Sequence, residues 1–372
     1  MRVVRPANHG HSGRIWMNKV EIQGMPALPL IPFYRDVYVT LFPSRPAGRI
    51  LDEFRPDIVH IQDHYPLSRS FLKQALRRGI PVIGTNNFLP ENIIDQIPVF
   101  SHMRRLFEKI IWWTVISGFR GAAVVTTPSE TAAKIMRQNG FTTPVKAISC
   151  GIDLSRFHPD VGMGRDAIRA RYGLDPERIL LLYVGRLDRE KRLEVLIRAL
   201  HHLGRPEVQL GIAGHGRALE ELQDLAQELN LGDQVVFTGF VPDPDLPSLL
   251  NSADIFAMPS EAETQSIATL EAMACSLPIL ASNARALPEL VKSGLNGYLF
   301  NNGDAADAAA CMQSLLFRRN DWQSMGVASL EMAKPHRIEN TIQEYEKLYR
   351  STRLAASRSK QVYRDRQQRA IN

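Results

Sequence analysis

Two carboxylates eight residues apart, Glu263 and Glu271, stand in the stretch SEAETQSIATLEAMACSLPIL at residues 260–280. Glu271 opens an Ala- and Met-rich run of helical character, and the apolar LPIL beyond it reads as a buried strand. Acids in such a run also occur on a solvated helix face, so their meaning depends on the frame around them. Upstream, VGRLDREKR carries Arg186 and Lys191, two cations five residues apart just after the apolar run ILLLYVG. At a strand end beside a helix start such cations can hold a diphosphate, Arg as a fork and Lys as a point charge. The alternative is plain surface charge on a connecting loop. GIAGHG places Gly214 and Gly216 between a strand run and a helical run, either as a phosphate-binding turn or as a tight turn alone. Asp243 and Asp245 flank Pro244, which is turn chemistry more than metal chemistry.

The elements that must position these residues follow from the hydrophobic pattern. Strands are expected at 57–61, 81–85, 122–127 and 145–149, then at 179–185, 208–214, 234–239, 254–260, 278–282 and 297–300. Near-continuous apolar runs of this kind fit parallel strands covered on both faces. Alternation with stretches such as RLEVLIRALHHL predicts an α/β fold of two doubly wound parallel-sheet domains. The Gly- and Pro-punctuated stretch 150–178 holds the boundary, giving domains 1–165 and 166–335. Residues 336–351 form an amphipathic helix, with Ile338, Ile342, Tyr345 and Leu348 at helical spacing, and 352–372 a basic tail. The start is unusual: RVVRPA leads into VEIQGMPALPLIPFY without a helical period, and the first helix is expected at 45–54. An opening βα unit of roughly 30 residues is therefore expected to be missing ahead of Met1.

In open α/β sheets, ligands bind beyond the carboxyl ends of strands, where helix N-termini offer free N–H groups. Glu263 is thus expected in the loop after the 254–260 strand, and Glu271 at the start or first turn of the next helix. There the helix dipole favours an anion by about 0.3–1 kcal/mol. Loop carboxylates suit sugar and ribose hydroxyls, while amides suit phosphate.

Composition narrows the class. The 372 residues suit two domains, and 44% hydrophobic residues supply ordinary cores. Cys150, Cys275 and Cys311 are far apart and odd in number, so they form neither a disulfide framework nor a metal spacing and fit a reducing cytoplasm. No apolar run reaches about 18 residues, and the start, MRVVRPANHG, has no long apolar h-region and does not read as a secretory signal. Of the net charge of +6, residues 351–372 contribute +5. That tail reads as solvated, with an anionic membrane surface as the second reading and no nucleic-acid motif elsewhere. HMRRLFEKIIWWTVISGFRG at 102–121 joins basic residues to Trp112 and Trp113, as either a crossover helix on the sheet or a membrane-surface helix.

In order and spacing, PSEAETQSIATLEAMACSLPIL with VGRLDREKR, GIAGHG, VVFTGFV and ADIFAMPS upstream and ALPELVKSGLNGYLF downstream resembles the retaining glycosyltransferases of the GT4 type. Their fold is GT-B: two Rossmann-like domains facing a cleft, with a final helix crossing back to the first. The likeness is densest from 179 to 300, and FRPDIVHIQDHYPLS, PVIGTNNFLPEN, VTTPSETAAKIM and ISCGIDLSRFHP resemble the acceptor-side domain.

The resemblance implies that Arg186 and Lys191 meet the donor diphosphate, Glu263 the donor sugar and Glu271 the ribose. Gly214 belongs to the donor loop, and the amides of Thr264, Gln265, Ser266 and Ile267 meet sugar and phosphates. Phe240 and Val241 lie where such enzymes hold the base, largely through backbone. His64 falls on the acceptor side, and Asn87 takes the place of a common His in TNHF. Asn hydrogen-bonds a hydroxyl but takes no proton near pH 7. Ser266 and Ser276 replace glycines, and the usual Gly-rich opening turn is absent. His60, with His64 and Asp63, is expected to be structural or in contact with the acceptor. The implied substrate is a nucleotide-sugar donor, UDP-glucose or GDP-mannose, with no metal and no cofactor. The acceptor stays open among lipid, glycan and small polyol. Lipid-acceptor relatives dock on membranes through first-domain helices, which adds, to the expectation of a cytoplasmic protein, a peripheral place at the inner face as the second reading. The alternatives are a sugar-nucleotide-binding protein of impaired catalysis or a truncated enzyme, and a nonhydrolysing sugar-nucleotide epimerase fits the Glu263–Glu271 set less well.

Overall fold

The computed structural model describes residues 1–7, 13–30, 34–90, 104–159 and 162–371. In the first half, β1 (Arg2–Pro6), β2 (Gly13–Met17) and β3 (Val20–Met25) form a sheet of order β1-β3-β2, and β4 (Leu28–Leu30) pairs with β5 (Tyr34–Val39). VEIQGMPALPLIPFY is therefore largely strand, with residues 31–33 outside the described residues. β2 and β3 join through Asn18 and Lys19, both at positive φ (46° and 67°), the two-residue turn that suits a twisted hairpin. The parallel sheet of this half runs β6 (Val59–Ile61), β7 (Val82–Thr85), β8 (Val124–Thr127) and β9 (Val145–Ala147) in order. Ile50, Leu51, Phe71, Val82, Phe119, Val125 and Met136 fill its core.

The second half holds β10 (Ile179–Val184), β11 (Val208–Ala213), β12 (Val235–Gly239), β13 (Ile255–Met258), β14 (Ile279–Ser282) and β15 (Gly297–Phe300). Their order is β12-β11-β10-β13-β14-β15, all parallel. Each strand expected in either parallel sheet contains an observed one, trimmed by at most two residues at either end. The chain winds outward from β10 to β12, then returns to lay β13 on the other flank of β10, with Leu181 opposite Ile255. That reversal opens a crevice beyond the carboxyl ends of β10 and β13.

The two cores are linked where the chain crosses twice. Ile152 N–H donates to the His336 carbonyl at 2.9 Å, and Ile338 N–H to the Ile152 carbonyl at 2.8 Å. Ile152 and Phe157 already pack in the second core, ahead of the expected boundary at 165. After the second crossing, one helix runs from Ile338 to Ile371. The expected break into a helix to 351 and a separate tail is not seen. The segment 338–371 has no Gly or Pro, and its Arg, Gln, Ala, Lys and Glu residues favour a helix.

This helix docks on the first sheet. His60 Nδ1 lies 2.7 Å from Tyr349 Oη, and Nε2 lies 2.7 Å from Thr85 Oγ1. Tyr345 Oη reaches Thr126 Oγ1 at 3.1 Å, and Lys146 Nζ donates to Glu344 at 2.7 Å. His60 is thus engaged in holding the helix, and burial pushes its pKa down to about 4. No helix among the described residues is long and apolar enough to cross a membrane. Because the folded value lies below the ordinary 6.5, stability is full above pH 6.5 and is lost as pH falls toward 4. Between pH 7 and 5 the loss is about 2 kcal/mol, from about 1.4 kcal/mol per unit. Denaturant titrations at both pH values should show this in the wild type and a smaller loss in His60→Gln; equal losses would exclude His60 as the source.

Candidate functional site

The crevice is built by three loops pressed together. Tyr183, fully buried in β10, donates its hydroxyl to the Arg186 carbonyl at 2.7 Å and fixes the turn after the strand. The loop after β11 lies directly against this turn. A Cβ on Gly214 would sit 1.9 Å from the Gly185 carbonyl oxygen, and one on Gly216 2.2 Å from that of Leu187. Only glycine permits this approach, so both glycines serve loop packing whatever else they do. His215 lies between them and is unmarked in the sequence pattern. Its Nε2 accepts from the Phe240 N–H at 3.1 Å, and the two rings are nearly parallel at 14°. Phe240 is exposed, whereas Val241 is buried.

The charged residues converge although they are distant in sequence. Lys191, in a 3₁₀ turn, donates to Glu263 Oε1 at 2.6 Å, with both side chains nearly buried. Arg186 is more exposed and is held by Asp188 and by Glu190 Oε1, the latter at 3.0 Å. Glu190 is fully buried, and its carbonyl accepts from Glu261 N–H at 3.1 Å and Ser260 Oγ at 3.3 Å. It thereby ties the cation loop to the acid loop. In the run DREKR it reads as one more surface charge, and only its burial marks it.

The loop after β13 ends at Ser266, whose side chain accepts from the Thr269 N–H and caps the helix Ile267–Ala274. Serine in place of the usual glycine is thus a helix cap. At the far end Ser276 takes φ 58°, a backbone that glycine adopts more easily. The helix starts at Ile267, so Glu271 lies in its second turn, not at its start or first turn as expected. The dipole argument therefore does not apply to it. Burial dominates instead and pushes its pKa up to about 7, with Arg156 opposing and Asp243 adding to the shift.

Other sequence candidates divide between the two domains. Thr264 accepts at its carbonyl from Ser129 Oγ at 2.6 Å, and its Oγ1 lies 3.5 Å from the carbonyl of Asn87. The acid loop therefore touches the first domain beside exposed Asn87. The Gln265 side chain turns toward the interdomain crossing, accepting from Cys150 N–H at 2.8 Å and lying 3.4 Å from His336 Nδ1. Ile267 is exposed. His64 is buried between Tyr65 and Phe88, and burial pushes its pKa down to about 4. Asp245 is taken by Arg171 and Tyr172, and Asp243 lies 3.7 Å from Arg156.

Residues 4–156 match the family described as Glycosyltransferase Family 4, and residues 164–329 that described as Glycosyl transferases group 1. The chain is 30% identical over 311 residues to a sulfoquinovosyl transferase of Arabidopsis thaliana, covering 81% of this chain and 58% of that protein. It is 34% identical over 222 residues to a GDP-mannose-dependent alpha-(1-6)-phosphatidylinositol monomannoside mannosyltransferase of Mycolicibacterium smegmatis, covering 57% of this chain and 58% of that one. The chain thus spans less than two thirds of the length of either relative. In fold it resembles Anabaena HepE in complex with UDP-glucose, with a TM-score of 0.72, 20% identity, and coverage of 90% of this chain and 86% of that one.

Glu271 yields a stability prediction. Its folded value of about 7 lies above the ordinary 4.5, so its contribution is full below pH 4.5 and is lost as pH rises through 7. The loss approaches about 3 kcal/mol at pH 8. Glu271→Gln should therefore melt higher than wild type at pH 8 and nearly equal to it at pH 4.5. A variant no more stable at pH 8 would refute the buried-charge account.

Proposed function

We propose that this chain, which belongs to the GT4-type glycosyltransferases of the GT-B fold, transfers a hexose from a nucleotide sugar to an acceptor hydroxyl with retention of configuration. The observation that carries this reading is the cluster at the reversal of the second sheet, where Lys191 meets Glu263 at 2.6 Å beside Arg186. Arg186 and Lys191 neutralise the donor diphosphate, the role a metal takes in other transferases. Glu263 accepts from the hexose hydroxyls and Glu271 from the ribose. The amides of Thr264 to Ile267 face sugar and phosphate, Gly214 lets the donor loop close in, and the backbone of Phe240 and Val241 holds the base. Asn87 and His64 serve the acceptor side.

In the transfer, the bond between the anomeric carbon and the diphosphate oxygen breaks, and its electron pair stays on the diphosphate. The acceptor oxygen bonds the same face of that carbon, and its proton passes to the departing diphosphate oxygen. Charge grows on the leaving group as this happens, so fixed cations favour the transition state over the ground state. UDP-glucose and GDP-mannose are the donors favoured by the names of the similar proteins. Arg186→Ala and Glu271→Ala should each weaken nucleotide-sugar binding at least about tenfold, or 1.4 kcal/mol. Calorimetry with both donors checks this, and unchanged affinity in both variants would remove the donor site from this crevice.

A lipid acceptor is favoured by a surface of the first domain. The helix Arg104–Phe119 buries Val115 and Phe119 but exposes Leu106, Ile110 and Trp113, which lie on one face beside exposed Arg105 and Lys109. Residues 102 and 103 of the expected segment lie outside the described residues. An apolar stripe flanked by cations suits an anionic membrane surface, where the acceptor hydroxyl would be presented. Sedimentation with phosphatidylglycerol vesicles should capture the chain, and Trp113→Ser with Lys109→Glu should release it. Equal capture by neutral phosphatidylcholine vesicles would argue against this docking.

A further inference from the structure

Within the ion-paired cluster of Arg186 and Lys191, carboxylates outnumber cations among the described residues. Arg186 is held by Asp188 and Glu190, and Lys191 by Glu263. Two cations serve three carboxylates, so with all five ionised the cluster carries a net charge of minus one. A nucleotide sugar brings two more negative charges on its diphosphate. An anion that binds beside a cluster of its own sign favours protonation of the least solvated acid in that cluster.

The surroundings of each acid show where that change falls. The side chains of Asp188 and Glu263 retain 10% and 11% exposure, whereas that of Glu190 has 0%. Glu190 Oε1 accepts from Arg186 Nη2 at 3.0 Å, but Oε2 has no hydrogen-bond partner among the described residues. A buried carboxylate oxygen without a donor is a poor place for charge and a good place for a proton. Burial raises this carboxyl above its ordinary range, with its own backbone N–H, Arg186 and Lys191 opposing and Asp188 adding to the rise. From the neighbouring loop, Ser260 Oγ and the Glu261 N–H reach only the Glu190 carbonyl. A diphosphate that engages both cations withdraws the support they give to the ionised form.

We propose that Glu190 is a positioning residue for the donor diphosphate: ionised, it holds Arg186 in the free crevice, and it takes up one proton as the nucleotide sugar binds. This rests on the donor-site reading above. The proton comes from solvent and forms an O–H bond at Oε2. Oε1 continues to accept from Arg186, whose charge is then met by the diphosphate.

Calorimetry of the full chain with UDP-glucose and with GDP-mannose, in two buffers of different ionisation enthalpy, counts the protons. A nucleotide sugar is the right probe because its diphosphate does not titrate near neutrality. Wild type should take up about half to one proton at pH 7, and its affinity should fall by up to about tenfold per pH unit as pH rises to 8. Glu190→Gln should lose that uptake and bind at least about threefold more tightly than wild type at pH 8. Glu271→Gln should still take up protons, at least as many as wild type, because Glu271, itself raised to about 7, would give up its own proton to accept from the ribose. Unchanged uptake in Glu190→Gln, or no uptake by wild type or Glu271→Gln, overturns the proposal and leaves the donor site standing. Binding of neither nucleotide sugar by wild type overturns both. Should Glu190→Gln fail to fold, the counts for wild type and Glu271→Gln decide the matter.

Discussion

The site depends on one adjacency, that of β10 and β13. Lys191 and Glu263 stand 72 positions apart; the chain between them winds out to β12 and back, and the two close in a 2.6 Å ion pair. Parallel strands fix this arrangement because each βαβ crossover keeps one hand, so the chain must leave on one flank and return on the other. The strand ends at the reversal are the only ones in such a sheet whose loops diverge and leave a crevice between them. The third loop, at Gly214 and Gly216, is pressed so closely on the first that no side chain fits between them.

A rigid second sheet is half of the arrangement. The acid loop faces the first domain through Thr264 and, through Gln265, faces the place where the chain crosses between domains. Residues that meet the donor in our reading are thus continuous with the crossing at Ile152 and Arg337. The last helix fastens the far side, with Tyr345 and Tyr349 set among His60, Thr85 and Thr126.

Burying acids opposes stability here. Glu190 and Glu271 are both raised above the ordinary carboxyl range by desolvation, which marks groups held where charge is unwelcome. In our reading, a polyhydroxyl, multiply charged ligand needs both acceptors and cations, and the fold gives up stability to supply them.

The sequence alone determined the ten parallel strands, because runs such as ILLLYV and VQLGIA are apolar throughout and must be covered on both faces. It also marked Arg186, Lys191, Glu263 and Gly214 as loop residues at strand ends, since apolar runs stop just before them. Strand order lies outside local patterning, and with it the pairing of Lys191 with Glu263, because the same runs could stack in several orders. Propensity placed Glu271 at a helix start, but the cap at Ser266 put it one turn further in, where burial sets its charge. The charge pattern made the last residues a tail, whereas docking of Tyr345 and Tyr349 on the first sheet anchors a helix that then continues through good helix formers. In DREKR Glu190 is one charge among five, and its burial follows only from the acid loop that lies against it, since burial is a property of what packs above a residue and not of its neighbours in the chain.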